Sequence, residues 1–170
     1  MVWEDFQGKV PKNAKFESYT RYEIVFRYNY ETEVNPKVYF DKKKSTWKTN
    51  YDNYVPKKII SVETKVFIRK KTSWVKKDKK SDDLLNHEQK HLDIALYFER
   101  KLNQALSGLL LIEKNPRIFS AKAREIAIKI INENLAFQSE YDKKTNHGKD
   151  MEQQKIYDEK INKMLAEFEN

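Results

Sequence analysis

The amino-acid sequence predicts an α+β fold, with antiparallel strands in its first part and helices after them. Up to about residue 71, apolar and polar side chains alternate in several segments, a pattern typical of half-buried strands. Beyond residue 81 the apolar side chains recur at helical spacing instead. No repeat and no long linker divides the 170 residues, so we expect a single domain over residues 1–170.

Alternation is clearest from Thr20 to Glu31. One face of this predicted strand carries Tyr22, Ile24, Phe26, Tyr28 and Tyr30. Val38 to Phe40 is a shorter strand candidate, and Lys58 to Lys71 alternates again. Residues 41–57 are rich in Lys, Asn and Tyr, so we predict a loop there.

Three helices are predicted to follow. Ser81 is a good N-cap for the first, whose apolar stripe runs through Leu84, His91, Ala95, Phe98, Leu102, Ala105 and Leu109. We expect this helix to fray or end at Ser107-Gly108. The second is predicted from about Ser120 to Glu140 and the last from about Asp150 to Phe168, with a break between them from Lys143 to Gly148.

The composition of the chain argues against several kinds of metal site and binding partner. The absence of cysteine excludes disulfides and thiolate metal sites, and no stretch reaches the length of a transmembrane helix. The net charge is +8, but the densest basic run, from Arg69 to Lys80, is predicted to be a solvated loop before the first helix. No recognised nucleic-acid motif accompanies it, so we expect no nucleic-acid partner.

The first predicted helix contains His87-Glu88-Gln89-Lys90-His91. His-Glu-x-x-His on a helix sets two imidazoles one turn apart on the same face, where they can hold one Zn²⁺ ion. Glu88 is then placed to act as a general base towards water and as an acid towards the leaving amine.

Catalytic zinc usually has a third protein ligand and one open position. His147 is the leading candidate for the third ligand, because it is the remaining histidine of three and lies in the predicted break. Four carboxylates are alternatives: Glu113, Glu133, Glu140 and Asp142. Asp93 and Asp142 are also candidates for orienting the ligand histidines through hydrogen bonds.

Two further functional features are predicted. A zinc hydrolase needs a donor for the developing oxyanion, and Tyr141 and Tyr157, which flank His147 in the sequence, are candidates for this catalytic role. The strand from Ser61 to Arg69 could bind an extended peptide by edge pairing.

Several segments together resemble a bacterial family of zinc-dependent proteases known as domain of unknown function nine-twenty-two. They are Trp3–Gly8, Ser73-Trp74, Leu84–Ile94, Arg100–Leu102 and Tyr141–Gly148, with Gln154 beyond them. The resemblance implies a zincin-like fold, a peptidase activity and His147 as a zinc ligand. It also implies export, so we expect a leader ahead of Met1 in the native reading frame and a secreted, periplasmic or cell-envelope location.

The function predicted from the sequence is therefore that of a zinc metallopeptidase acting on a peptide or protein substrate. One alternative is a non-catalytic binding module on a zincin scaffold, whose basic surface meets an acidic partner or an envelope polymer. Another is a zinc hydrolase of a non-peptide amide, which would use the same site residues.

Overall fold

The computed structural model of the protein describes residues 1–34, 37–50 and 54–169. The strands in these ranges are β1 (Ser18–Tyr19), β2 (Tyr22–Val34), β3 (Lys37–Asp41), β4 (Thr46–Asn50), β5 (Tyr54–Ile68) and β6 (Trp74–Val75). The helices are α1 (Asp82–Ile112), α2 (Pro116–Lys144) and α3 (Met151–Ala166). Strands thus precede helices, and the predicted α+β class is confirmed.

The long strands β2 and β5 form a two-stranded antiparallel ribbon, with Tyr22 opposite Ile68 at its inner end. The side chains of this ribbon that pack against the helical core include Ile24, Phe26, Tyr28 and Val62. Tyr30, predicted on the same face, is exposed. The pairing register shifts immediately before Tyr30, and the side chains described beyond it in β2 are exposed as well.

The basic segment from Arg69 to Lys80 was predicted to be a solvated loop, but only part of it is exposed to solvent. Its lysines are mostly exposed, but Ser73, Trp74 and Val75 are buried. Trp74 and Val75 form β6, which pairs with β1. Apolar side chains between the lysines therefore attach this segment to the body of the domain.

The prediction of a loop over residues 41–57 is wrong for residues 46–50 and 54–57, which belong to β4 and β5, whereas residues 42–45 do form a turn. Residues 51–53 lie outside the described residues. Strand β4 pairs with β3 in a hairpin, with Phe40 opposite Trp47. Asp41 closes the turn, because its carbonyl accepts from the Lys44 amide at 3.2 Å and its Oδ1 accepts from the Lys43 amide at 3.0 Å. The polar residues that indicated a loop lie in this turn and on exposed strand positions.

Helix α1 begins where predicted, with Ser81 Oγ accepting from the Leu84 amide at 3.2 Å. It does not end at Ser107-Gly108 but continues to Ile112. The buried side chain of Leu109 holds this last part of the helix against the core, and Gly108 lies on the exposed side, where a glycine weakens a helix without breaking it.

Helix α2 is longer than predicted at both ends. Asn115 caps it by accepting from the backbone amides of Arg117 and Ile118, and Pro116 occupies the first turn, where its missing N–H costs nothing. Helix α3 lies close to its predicted limits. Asp150 caps it by accepting from the Gln153 amide at 3.0 Å.

The core lies where the three helices pack on each other and on the inner end of the ribbon. Its buried members are Ile59, Ile94, Phe98, Leu102, Leu106, Leu109, Phe119, Ala123, Ala127, Ile130, Tyr141, Tyr157 and Ile161. Within the residues that the structure describes, none of the helices combines the length and the apolarity that a membrane span requires.

Replacement of a core leucine tests this arrangement. Leu102 is 0% exposed, and Leu111, on the same helix, is 83% exposed. We expect Leu102→Ala to lower the free energy of unfolding in urea by about 2–5 kcal/mol, because it leaves a cavity. Leu111→Ala, the matched control, should change it by less than about 0.5 kcal/mol. Equal losses from the two variants would contradict the assigned core.

Candidate metal centre

The two histidines of α1 face inward, as predicted. His87 is 2% exposed and Glu88 is 3% exposed, and the imidazole rings of His87 and His91 lie edge to face with their centroids 4.8 Å apart. One helical turn separates these histidines, so both rings point to the same place beside α2.

A carboxylate from α2 completes a set of three donors. Asp142 Oδ1 lies 3.3 Å from His87 Nε2 and 3.1 Å from His91 Nε2, and the three donor atoms all lie within 4.8 Å of one another. Ligands arranged tetrahedrally around zinc at its usual bond lengths lie roughly 3.4 Å apart. The spacing of these atoms therefore suits one small metal ion.

The charge of the Asp142 carboxylate favours a cation at this site. Burial raises the pKa of the Asp142 carboxyl, but hydrogen bonds and charge from His87 and His91 outweigh burial and hold that pKa well below its usual range. Burial lowers the pKa of His91, but the hydrogen bond to Asp142 and the charge of Glu88 outweigh it and raise the pKa overall. An ionised carboxylate thus sits against two imidazole nitrogens in a largely buried site.

Two glutamines fix which nitrogen of each histidine is available to a metal. Gln154 Oε1 lies 3.0 Å from His87 Nδ1, and Gln138 Oε1 contacts His91 Nδ1. The amide nitrogen of Gln138 donates to the His91 carbonyl at 2.8 Å, and that of Gln154 donates to the Tyr141 hydroxyl at 2.7 Å. The glutamine oxygens must therefore accept from protonated Nδ1 atoms, which leaves each Nε2 as a donor for a metal.

Glu88 is held from the strand side of the site. Its Oε1 accepts from the Ser18 hydroxyl at 2.5 Å, and its Oε2 accepts from the Thr20 hydroxyl. Ser18 and Thr20 lie two residues apart, on one side of the extended chain that enters β2. Each carboxylate oxygen keeps a second lone pair, so these bonds orient Glu88 without preventing it from taking a proton.

His147, predicted as the third ligand, lies beside the three donors in the turn after α2. Its Nδ1 is 3.3 Å from Asp142 Oδ1, and its ring contacts Phe16 with centroids 4.4 Å apart. Its φ of +54° is uncommon for a residue other than glycine and requires support from its surroundings. The structure brings His147 to the site, and its role as a ligand stays a prediction.

Gly148 allows the turn to approach His87 closely. Its φ is +77°, and a Cβ atom on it would lie 2.9 Å from the Cγ of His87. A larger residue there would strike the imidazole ring directly and would also be strained in its backbone.

The hydroxyls of Tyr141 and Tyr157, predicted as oxyanion donors, are not among the groups that line the cavity at this site. Tyr141 is fully buried, stacks on the ring of His87 and donates to the His87 carbonyl at 3.2 Å, and burial raises its pKa. Tyr157 donates to Glu140 at 2.5 Å, and burial and this carboxylate raise its pKa to about 12. Both tyrosines belong to the buried core beside the histidines, where they support the packing.

The other carboxylates considered from the sequence lie elsewhere. Asp93 pairs with Lys90 at 2.9 Å, and Glu133 pairs with Lys101 at 2.6 Å. Glu113 accepts from the Asn115 amide at 2.9 Å in the connection between α1 and α2. Of the acids predicted as ligands or orienting partners, Asp142 is the one that the structure brings to both histidines.

A cavity of about 810 Å³ opens onto the centre. Its lining includes His87, Glu88, His91 and Asp142, and one wall is the continuous segment of residues 15–25. The segment Ser61 to Arg69, predicted to bind a peptide by its edge, does not line it. It pairs with β2 on the far side, so the wall that faces the cavity is β1 and the start of β2.

Sequence reasoning did not assign roles to several residues of the site. Tyr22 lines the cavity, Ser18 and Thr20 hold Glu88, and Gln138 orients His91. Each contacts a partner that is far away in the sequence, so local spacing carried no signal for it.

The close contact of Gly148 with His87 can be tested by metal titration. We expect Gly148→Ala to weaken Zn²⁺ binding by about 10- to 100-fold, because the new methyl group displaces a ligand ring. Gly108→Ala is the control, since nothing lies within 4 Å of the position its Cβ would take. It should bind Zn²⁺ like the parent protein. Unchanged affinity in a folded Gly148→Ala protein would contradict the proposed dependence of Zn²⁺ binding on this close contact.

Comparison with known proteins identifies the family to which the chain belongs. The model of the family described as bacterial protein of unknown function (DUF922) matches residues 3–148. No curated protein and no solved structure matches the chain. The matched residues include His87, Glu88, His91, Asp142 and His147, and the family's description names no activity. Because the match spans most of the chain, the protein belongs to this bacterial family of unknown function.

Proposed function

We propose that the protein is a zinc-dependent metallopeptidase. The observation that carries the proposal is the convergence of His87, His91 and Asp142 beside Glu88, on the wall of a cavity large enough for part of a peptide. A metal site that serves only to stabilise the fold needs neither the Glu88 carboxylate beside the histidines nor the adjoining cavity.

The donor set fits zinc. Two imidazoles and one carboxylate are a known ligand set of catalytic zinc, and three protein ligands leave a fourth position open. Imidazole nitrogen is a poor ligand for Mg²⁺ and Ca²⁺, which prefer oxygen. We assign Asp142 as the third ligand because one of its oxygens is close to both histidines, and His147 is the rival for this position.

When bound, zinc would polarise a carbonyl group and lower the pKa of water to about 7. Glu88 takes a proton from the attacking water and passes it to the nitrogen of the leaving amine. Its burial and its hydrogen bonds to Ser18 and Thr20 fix the carboxylate in one orientation towards the cavity. Fixed donors and bases cost no reorganisation during the reaction.

Tyr22 is our candidate for the oxyanion donor in place of Tyr141 and Tyr157. Its side chain lines the cavity, and its hydroxyl accepts from Asn134 Nδ2 at 3.2 Å. Burial raises the pKa of Tyr22 to about 12, although hydrogen bonds from Asn134 and Gln138 act against it. The hydroxyl therefore keeps its proton near neutral pH and can donate it to a developing oxyanion.

The wall formed by residues 15–25 suggests how a substrate would lie. From Tyr22 onward this segment pairs with β5, and among the residues that the structure describes no strand pairs with its other edge. An extended peptide could pair with the edge that faces the cavity. A non-peptide amide would use the same residues for hydrolysis but would not need this edge.

Metal analysis and a cleavage assay test the proposal together. We expect the purified protein to contain zinc and to cleave members of a mixed peptide library until a chelator is added. Glu88→Gln should keep zinc and lose at least about 100-fold in kcat, whereas His87→Ala and His91→Ala should lose zinc. Parental turnover by Glu88→Gln would refute the mechanism. Zinc without cleavage of any peptide would refute the peptidase and leave the two alternatives, a binding module and a hydrolase of a non-peptide amide.

The same metal analysis decides between the two candidates for third ligand. Asp142→Ala should bind zinc at least about tenfold more weakly than His147→Ala if Asp142 is the ligand. The reverse order would assign the position to His147.

A second assay tests the oxyanion donor. We expect Tyr22→Phe to lower kcat by about 100-fold without loss of zinc, because it removes one hydrogen bond to the transition state. Tyr28→Phe is the matched control, since Tyr28 lies on the same strand with its hydroxyl 2.6 Å from Ser120 Oγ. Parental turnover by Tyr22→Phe, with a loss in Tyr141→Phe or Tyr157→Phe instead, would return the role to the tyrosines predicted from the sequence.

A further inference from the structure

The outer part of the ribbon and the hairpin at its end are exposed over a long stretch. From Asn29 to Lys58, every residue whose exposure is described is exposed, with the exceptions of Asp41 and Lys48. These two form an ion pair with each other at 2.6 Å. None of the described residues of this stretch belongs to the core between the helices and the ribbon.

The hairpin formed by β3 and β4 carries a cluster of exposed apolar side chains. Val38, Phe40 and Trp47 are 61%, 46% and 71% exposed. Phe40 and Trp47 are directly opposite each other with ring centroids 5.4 Å apart, and Val38 lies two residues before Phe40, on the same face. Apolar groups clustered in this way on an exposed hairpin indicate a contact surface.

The same hairpin is strongly basic. Residues 37–50 contain five lysines and one acid. The acids of the exposed stretch that the structure describes are already paired: Glu31 with Lys58, Glu33 with Lys57 and Asp41 with Lys48. The lysines of the turn, Lys42 to Lys44, therefore keep their charge for an external partner.

We propose that the β3–β4 hairpin docks on the surface of an anionic lipid bilayer. The lysines of the turn would lie among the headgroups, where each is attracted by negative surface potential. Val38, Phe40 and Trp47 would enter the boundary between headgroups and acyl chains, the region that tryptophan favours. The hairpin supplies both of the signals that stable attachment to a bilayer surface requires, charge and buried apolar area.

A bilayer fits these residues better than a soluble polyanion does. A polyanion would satisfy the lysines but offers no apolar interior for Val38. Phe40 and Trp47 also pack edge to face, at 65°, so they do not form an open flat platform on which bases could stack. This proposal concerns a surface made of residues other than those of the metal centre, and it holds whether or not the protein cleaves peptides.

Vesicle binding of the full chain tests the proposal. We expect co-sedimentation with vesicles of phosphatidylcholine containing 30% phosphatidylglycerol, little with phosphatidylcholine alone, and weakening of binding by salt. Lys42→Gln, Lys43→Gln and Lys44→Gln combined should weaken binding by about 100-fold. The matched control is Lys129→Gln, Lys155→Gln and Lys163→Gln, which removes the same charge from exposed positions on α2 and α3.

Tryptophan fluorescence reports on insertion. Emission should shift to the blue on the anionic vesicles, and Trp47→Phe should abolish most of the shift while circular dichroism stays parental. Equal loss of binding from both lysine triples would show attraction by net charge alone and would overturn the proposal. So would binding without a shift that depends on Trp47, or stronger binding to soluble polyglutamate or DNA than to the vesicles.

Discussion

The contact of Asp142 Oδ1 with the imidazoles of His87 and His91 is the polar constraint around which the candidate site is arranged. The imidazoles of buried His87 and half-buried His91 need defined partners, because an unpaired polar group inside a protein is costly. Helix α2 supplies Asp142 and Gln138 to them, and α3 supplies Gln154. The polar network is therefore satisfied only when all three helices are packed, which ties the integrity of the site to the fold of the whole helical layer.

The site has a second side, which the strands provide. Glu88 follows His87 in the chain but points to a different part of the protein, because successive residues are rotated by about 100° around a helix. Hydroxyls from Ser18 and Thr20 hold its carboxylate, and the same segment of chain forms one wall of the cavity. The helices and the strands thus meet where Glu88 accepts from Ser18 and Thr20. In the proposed mechanism this meeting point separates the group that moves protons from the groups that hold the metal.

The hairpin of β3 and β4 is separate from both the core and the candidate metal centre. Its exposed apolar face and its lysine turn contribute nothing to the core or to the metal centre. A strand pair that extends beyond the helices exposes side chains at a cost in solubility, which a protein of this charge can tolerate. The proposed chemistry and the proposed attachment to a bilayer thus use separate sets of residues, so each can be altered by mutation without the other.

The sequence by itself determined the class of fold, the inward face of α1 and the pair His87 and His91 with Glu88, because these features rest on local periodicity and spacing. Helix ends and the β3–β4 hairpin were less predictable, since the burial of Leu109 and the pairing of Phe40 with Trp47 depend on distant or cross-strand neighbours. Only the tertiary structure brought Asp142 into contact with both histidines, kept Tyr141 and Tyr157 out of the cavity lining and brought Ser18, Thr20, Tyr22 and Gln138 to the site. Those contacts join residues far apart in the chain, and their geometry is fixed by packing between layers, on which sequence spacing carries no information.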